Sequence, residues 1–174
     1  MDAAGRAEVR EAREDDLSAI RDIYNHAVAH STAIWNEVLV DLENRRAWWQ
    51  VRRAAGYPVL VAVRGETVLG YASFGDWRAF DGFRGTVEHS VYVAEGAQGQ
   101  GLGRALMTAL IARAREIGKH VMVGGIESGN AGSLALHRAM GFREVGRHRE
   151  VGQKFGRWLD LTFMELVLDD RPRP

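Results

Sequence analysis

Residues Ala97–Leu106 read AQGQGLGRAL and place glycines at three alternate positions, 99, 101 and 103. The apolar stretch SVYV lies shortly before this segment, and a pattern typical of an amphipathic helix follows it. Glycine is unfavourable inside regular structure, so three glycines at a strand–helix junction indicate a turn whose backbone approaches a ligand. The N–H groups of such a turn and the positive end of the helix dipole together favour a phosphate group.

Two common phosphate-binding motifs do not fit this turn. The dinucleotide motif G-x-G-x-x-G needs a last glycine where the chain has Arg104 or Leu106. The P-loop spacing is met by Gly96 and Gly101, but Leu102 and Gly103 follow where Lys and Ser or Thr are needed. The segment has instead the form Q-x-x-G-x-G, which leaves a different phosphate-bearing ligand.

The composition excludes several classes of protein. The 23 basic residues balance 23 acidic ones, which argues against a broad surface for nucleic acid or an anionic membrane. The chain has no cysteine, which removes disulfides, thiolate metal sites and a covalent cysteine mechanism. The stretch MDAAGRAEVREARED has no apolar signal region, and no apolar run approaches a membrane span. We therefore expect a cytoplasmic protein with no nucleic-acid or membrane partner.

Hydrophobic periodicity and turn residues predict the order β-α-α-β-β-β-α-β-α-β-β. EVREAR (8–13) is predicted as the first strand, with Asp15 or Asp16 capping a helix. Asp41 is predicted to cap the second helix, and Asn130 the last one. This order implies an α/β domain with a mixed sheet.

Two motifs in this order resemble the GNAT superfamily of acyl-CoA N-acyltransferases: the Q-x-x-G-x-G turn and the segment NAGSLALHRAMGF (130–142). Further segments resemble the phosphinothricin and methionine sulfoximine acetyltransferase branch of that superfamily: DIYNHAV, TAIWNE, GYPVLV, GYASFGDWRAFDGFR, TVEHSVYV, HVMVGGIES and VGQKFGRWLDLTFMEL. The resemblance covers nearly the whole chain. It implies a single GNAT domain over 1–174, with its core at 7–168, a tail at 169–174, and a mixed twisted sheet of about seven strands flanked by about four helices.

Attack of an amine on a thioester needs a base, donors for the developing oxyanion and help for the departing thiolate. Glu88 is the best candidate base, since it is an acid in an apolar strand where burial would raise its pKa. A glutamate paired with an arginine across the sheet is the alternative. His89 is a second candidate base, which strand alternation places on the opposite face from Glu88.

The resemblance also implies cofactor contacts with acetyl-CoA. The backbone of Val91, Tyr92 and Val93 would meet the acyl arm, with the Val93 N–H polarising the thioester carbonyl. The pyrophosphate would lie on the turn formed by Gln98, Gly99, Gln100, Gly101, Leu102, Gly103 and Arg104. Asn130 and Ser133 would contact pantetheine or pyrophosphate, although a helix cap and a first-turn polar residue explain them equally well. His137 stands where many GNAT enzymes carry a tyrosine that protonates the thiolate, and a packed histidine is its alternative.

The loop GDWRAFDGFRG (75–85) combines arginines with aromatic residues. Arginine binds carboxylates bidentately, as an amino-acid substrate would require, whereas a surface loop pinned by its own aromatics is the alternative. The resemblance places substrate contacts at Arg78, Ala79, Phe80 and Asp81, and at Glu88, His89 and Ser90. Trp35 and Asn36 would close the pocket.

His26 and His30 have the spacing of two metal ligands on a helix, but no third ligand is evident, so we expect no metal.

The resemblance implies an acetyl-CoA-dependent N-acetyltransferase for the α-amino group of small L-amino acids, with methionine sulfoximine, methionine sulfone and phosphinothricin as candidates. Two alternatives stay open: acetylation of a protein N-terminus or another small amine, and a CoA-binding regulatory module without catalysis. A homodimer is implied, with KFGRWLDLTFMEL (154–166) as an interface or simply as part of the core.

Overall fold

A computed structural model describes residues 7–174. Residues 1–6, on which the expectation of no signal region partly rests, lie outside this range. The elements follow the predicted order and are β1 (Glu8–Glu11), α1 (Leu17–His30), α2 (Leu42–Ala54), β2 (Val59–Arg64), β3 (Thr67–Asp76), β4 (Thr86–Val93), α3 (Leu102–Glu116), β5 (Val121–Glu127), α4 (Ala131–Ala139), β6 (Arg143–Lys154) and β7 (Arg157–Val167). Short 3₁₀ turns lie at Glu14–Asp16 and Asp81–Phe83.

The N-terminal strand ends earlier than its predicted limit at Arg13, and α1 begins one residue after Asp16. The Asp16 carboxylate accepts hydrogen bonds from the Arg13 N–H at 2.7 Å and from the Arg10 guanidinium at 2.7 and 3.0 Å. These bonds hold residues 14–16 in a 3₁₀ turn, so the regular helix starts only at Leu17. The other two predicted caps are present, since Asp41 accepts from the Asn44 N–H and Asn130 from the Ser133 N–H.

The seven strands form one mixed sheet in the order β1-β2-β3-β4-β5-β7-β6. β4 and β5 run parallel, and the other neighbouring strands run antiparallel. β4 pairs with β3 from Val87 to Val93, but with β5 only from Thr86 to Glu88. The two central strands therefore separate beyond Glu88, which opens a wedge in the middle of the sheet.

Two apolar clusters cover the two faces of the sheet. One joins α3 and α4 to the central strands through residues such as Leu106, Leu110 and Met164, which are fully buried. The other joins α1 and α2 to β2 and β3 through residues such as Leu17 and Tyr71. The result is a single three-layer domain of seven strands and four helices, as predicted. Within residues 7–174, no helix combines the length and the apolar character needed to cross a membrane.

Candidate active site

A cavity of about 1210 Å³ occupies the wedge between β4 and β5. Its wall includes the start of α3, the start of α4, the C-terminal half of α1 and the ends of β3 and β4. The cavity therefore passes through the sheet and joins its two faces at one place.

The glycine turn forms one end of this cavity. Gly99 and Gly101 have φ values of +75° and +79°, which side-chain-bearing residues rarely adopt, and Gly101 is the residue from which α3 begins. The lining residues from this turn are Gln98, Gly99, Gly101, Leu102, Gly103 and Arg104. Gln100 does not line the cavity, because its side chain accepts from Arg64 at 2.8 Å and donates to the Gly96 carbonyl. Gln100 thus braces the turn against β2.

The end of β4 forms the next part of the wall. Val91, Tyr92 and Val93 pair with β3 on one side, whereas the described ladder with β5 stops at Glu88. The edge of β4 beyond Glu88 faces the cavity, and Ser90 lines it as well. Across the wedge, Asn130 and Ser133 contribute from α4, so Asn130 both caps that helix and borders the cavity.

Glu88 lies where the two strands part. Its Oε1 is close to Gly125 of β5, where an added Cβ would lie at 3.3 Å from it. Burial raises the pKa of the Glu88 carboxyl above its ordinary value, and the positive charge of Arg78 opposes part of that rise. Arg78 acts as a nearby charge without a hydrogen bond to Glu88, so the arrangement is not the cross-sheet pair considered as the alternative. A carboxylate with a raised pKa in the wall of a cavity suits a general base.

His89 points to the opposite face from Glu88, as alternation predicts, and is buried against α4. Its Nδ1 lies 2.8 Å from the Val123 carbonyl, and its Nε2 lies 2.8 Å from Nε2 of His137. The other His137 nitrogen, Nδ1, lies 2.7 Å from the Ser133 carbonyl. Burial, with His137 beside it, lowers the pKa of His89 to about 3, and burial also lowers the pKa of His137.

This histidine pair limits the chemistry that either ring can perform. The two rings make three contacts: His89 with the Val123 carbonyl, His89 with His137, and His137 with the Ser133 carbonyl. Three hydrogen bonds would need three N–H protons, but two neutral imidazoles supply only two. A pKa of about 3 makes His89 a poor base near neutral pH. Both nitrogens of His137 are engaged, so protonation of a thiolate by this ring requires one of its contacts to break.

The loop residues predicted to bind substrate do not line the main cavity. Arg78 lies 4.8 Å from the Trp77 ring and borders a second cavity of about 540 Å³, together with Phe83, Phe163 and other residues. Ala79, Phe80 and Asp81 border neither cavity, and Phe80 is 77% exposed. The structure brings Arg78, but not the three residues after it, close to Glu88.

The residues predicted to close the pocket lie away from the cavity, whereas the two histidines of α1 line it. Trp35 lies so close to Gly152 that an added Cβ there would overlap its ring, and the Asn36 amide donates to the Tyr24 hydroxyl; neither residue borders the cavity. His26 and His30 do line its wall. Among residues 7–174, no group of three or more His, Asp or Glu side chains could hold a metal ion.

Arg52 is a cavity residue that the sequence reasoning missed. It extends from α2 over Gly75, where an added Cβ would lie 2.0 Å from its Nη1, and it lines the cavity beside Asp76 and Glu88. One signal was present in the sequence, because Arg45, Trp49 and Arg52 are spaced for one helix face, and the first two are buried.

Comparison with known proteins agrees with this architecture. The model of the Acetyltransferase (GNAT) family matches residues 20–142. The chain is 60% identical to the L-amino acid N-acyltransferase MnaT of Escherichia coli K12 over 166 residues, which are 95% of this chain and 96% of that protein. It is 62% identical to the L-methionine sulfoximine/L-methionine sulfone acetyltransferase of Pseudomonas aeruginosa over 165 residues, 94% and 95% of the two chains.

A solved structure supports the same assignment. The structure of yncA from Salmonella typhimurium, determined with its cofactor acetyl-CoA, superposes with a TM-score of 0.96 at 57% identity, and the match covers 98% of each chain. The fold, the wedge with its glycine turn and these full-length similarities lead to one conclusion: the chain belongs to the GNAT family of acetyltransferases.

Proposed function

We propose that this protein transfers the acetyl group of acetyl-CoA to the α-amino group of small L-amino acids, with methionine sulfoximine and methionine sulfone as leading acceptors and phosphinothricin as a further candidate. The observation that carries the proposal is the position of Glu88. It lies at the junction between the glycine-turn end of the cavity and the end formed by β3 and α2, with a raised pKa. The names of the two relatives given above specify L-amino acids and methionine sulfoximine or sulfone as acceptors, and yncA was determined with acetyl-CoA.

The residues present fit acetyl-CoA at the glycine-turn end. Positive-φ glycines and the N-terminus of α3 present N–H groups to a pyrophosphate, and Arg104 adds a positive charge. The edge of β4 at Val91–Val93 offers backbone groups to the acyl arm, with the Val93 N–H directed to the thioester carbonyl. Asn130 and Ser133 complete this side from α4. When bound, acetyl-CoA supplies the activated acyl group.

Three groups of this chain are proposed to carry out the separate steps of the transfer. Glu88 accepts the proton of the substrate ammonium, directly or through a water molecule, which frees the amine for attack. The Val93 N–H stabilises the negative charge that develops on the carbonyl oxygen. His137 is the proposed proton donor to the thiolate. Because burial lowers its pKa and favours the neutral ring, it must first take up a proton, which the amine nitrogen of the tetrahedral intermediate has to lose, and it must release its contact with His89 or Ser133. Transfer is direct, because the sequence offers no cysteine for an acyl-enzyme.

An assay of purified protein with acetyl-CoA and a panel of acceptors tests the proposal by CoA release and product mass. We expect turnover with methionine sulfone and methionine sulfoximine. Turnover on N-terminal peptides but not on free amino acids would favour the alternative of protein acetylation. Tight binding of acetyl-CoA by calorimetry with no turnover on any amine would favour a regulatory module.

We also propose that the protein is a homodimer in the cytoplasm. Within the predicted interface segment, Phe155 and Trp158 are 53% and 67% exposed, whereas Leu159 and Met164 are buried within the chain. Leu159 and Met164 thus pack in the core of the chain, whereas the exposed Phe155 and Trp158 are available to contact a second copy. Sedimentation analysis should give twice the mass of the chain, and a Trp158→Asp variant should shift it to the monomer. A monomeric wild-type protein would contradict the proposal.

A further inference from the structure

Arg52 is a charged group that no interaction within the described chain explains. Its Nε is buried and has no hydrogen-bond partner among residues 7–174. Burial lowers the pKa of its guanidinium, and the nearby Asp76 carboxylate and Tyr57 hydroxyl only partly oppose this. A half-buried cation with a buried, unpartnered Nε is unfavourable without full compensation, so it indicates a ligand that supplies the missing negative charge.

The backbone is arranged to admit this side chain. Gly75 has no Cβ, and a Cβ there would lie 2.0 Å from Nη1 and 2.6 Å from Cζ of Arg52. Any other residue at position 75 would therefore displace the guanidinium. The nearest carboxylate on the same strand, Asp76, accepts instead from the Tyr57 hydroxyl, whose oxygen in turn accepts from Lys119.

The register of the sheet brings Arg52 and Glu88 to one face. Gly75 of β3 lies directly opposite Glu88 of β4, and side chains of directly opposed antiparallel residues share a face at about 5 Å between Cβ positions. The guanidinium covers Gly75, whereas the Glu88 carboxylate extends the other way, towards Gly125 of β5. One cavity thus presents a cation and an anion side by side that are not paired with each other.

This arrangement matches a zwitterion. A free α-amino acid carries an ammonium and a carboxylate on the same carbon, so its two charges can meet Glu88 and Arg52 together. We propose that Arg52 binds the α-carboxylate of the acceptor while Glu88 faces its ammonium, and that Gly75 is required to seat the guanidinium. This inference rests on the proposed function and makes Arg52, rather than Arg78, the residue that selects free amino acids. Arg78 stacks on Trp77 and borders the separate smaller cavity.

The test compares L-methionine sulfone with its α-carboxamide, which keeps the amine and loses the carboxylate charge. We expect the wild-type protein to prefer the free acid in kcat/KM. Arg52→Met should lower kcat/KM for the free acid by about 100-fold and leave that for the amide within about threefold, because a charge-assisted bidentate contact is lost. For the free acid, kcat/KM of Arg52→Lys should lie between the values of the wild type and of Arg52→Met, because lysine keeps the positive charge but lacks the planar guanidinium group.

Gly75→Ala gives the most specific variant, because it retains Arg52 but displaces its guanidinium. We expect it to lose the preference for the free acid as Arg52→Met does. Arg53→Met is the matched control, since Arg53 is the next residue on α2 and stacks on Trp49 outside the cavity; it should retain the wild-type preference. Unchanged acetyl-CoA affinity and melting temperature would show that the variants are folded.

The outcomes separate the inference from the function on which it rests. If the wild-type protein acetylates methionine sulfone but Arg52→Met reduces turnover of acid and amide equally, Arg52 has only a structural role and the inference is wrong. Loss of the preference in Arg78→Met but not in Arg52→Met would also overturn it. A wild-type protein that acetylates neither compound would overturn the proposed function and, with it, this inference.

Discussion

The two ends of the cavity are built in different ways. The proposed donor end takes most of its groups from one continuous segment, Gln98–Arg104, with the end of β4 before it and the start of α4 across the wedge. The proposed acceptor end gathers Arg52, Asp76 and Glu88 from α2, β3 and β4. The first end depends on local backbone conformation, whereas the second depends on strand register and on helix packing.

This difference has a consequence for specificity. A site made of backbone N–H groups and helix termini recognises a phosphate whatever the identity of most side chains around it. A site made of single side chains from distant segments changes when one of them changes. We therefore expect substitutions at the acceptor end to alter which amine is acetylated, and substitutions at the donor end to alter acetyl-CoA affinity.

The largest expected effect is that of Glu88→Gln at the acceptor end. Loss of a general base should lower kcat by about 100-fold or more while the acetyl-CoA dissociation constant stays unchanged. Because burial raises the pKa of Glu88, kcat/KM of the wild type should fall as the pH is lowered towards that raised value, where the carboxylate takes up a proton. Steady-state kinetics and calorimetry measure both quantities. Turnover close to wild type would remove Glu88 from the mechanism.

At the donor end, Gly101→Val should weaken acetyl-CoA binding by about tenfold or more. The substitution places a β-branched side chain at φ +79°, on the wall where the pyrophosphate is expected. Gly96→Val is the matched control, since its φ is +76° but it does not line the cavity. It should lower thermal stability comparably and retain affinity. Equal affinities for the two variants in calorimetry would contradict the proposed pyrophosphate site.

The histidine pair lies between the two ends, and we expect it to make folding stability depend on pH. The pKa of His89 is lowered from 6.5 to about 3 in the folded chain, so the unfolded chain binds the proton first. Stability is therefore fully present above pH 6.5 and decreases as the pH falls towards 3, by up to about 1.4 kcal/mol per pH unit for each such histidine. Denaturant unfolding at about pH 7 and pH 5.5 measures this.

His137→Gln removes one titrating ring from the pair and should reduce this pH dependence. His148→Gln, which replaces an exposed histidine of β6 outside this pair, is the control variant. If the unfolding free energy of the wild type is the same at both pH values, the two histidines are not held neutral by burial.

The smallest expected effect separates capping from cofactor contact. Asn130→Ala and Asp41→Ala each remove a side chain that accepts a helix N-terminal N–H, so each should lower the unfolding free energy by about 1 kcal/mol. Only Asn130 also borders the cavity, so only Asn130→Ala should weaken acetyl-CoA binding, by a few-fold. Equal binding by the two variants would leave Asn130 as a cap alone.

The same contrast explains what the sequence could predict. The order of elements, the caps at Asp41 and Asn130 and the glycine turn all follow from patterns within about fifteen residues, and the structure has each of them. The face occupied by His89 followed from alternation along one strand. These features depend on local geometry, which the spacing of residues determines directly.

The acceptor end was harder because it depends on three-dimensional register. No pattern around Arg52 indicates that Gly75 lies beneath it or that Gly75 pairs with Glu88. Likewise, the sequence does not show that Ala79, Phe80 and Asp81 lie outside the cavity or that both nitrogens of His137 are engaged. Arg52 meets Gly75 across 23 residues and His89 meets His137 across 48, while the irregular loop between β3 and β4 decides how Gly75 and Glu88 pair and where residues 79–81 lie.

The segment between α1 and α2 is fastened at several points. The Asn25 side chain bonds both the N–H and the carbonyl of Val40, and the buried Lys154 ammonium donates to the carbonyls of Ser31 and Ile34. Thr32 donates to Glu127 across the cavity wall, to which Ser31 and Ala33 also contribute. This wall is preorganised: the conformational entropy of fixing it is lost during folding rather than at each substrate encounter. The shape of this wall is therefore set by contacts made during folding, before any substrate binds.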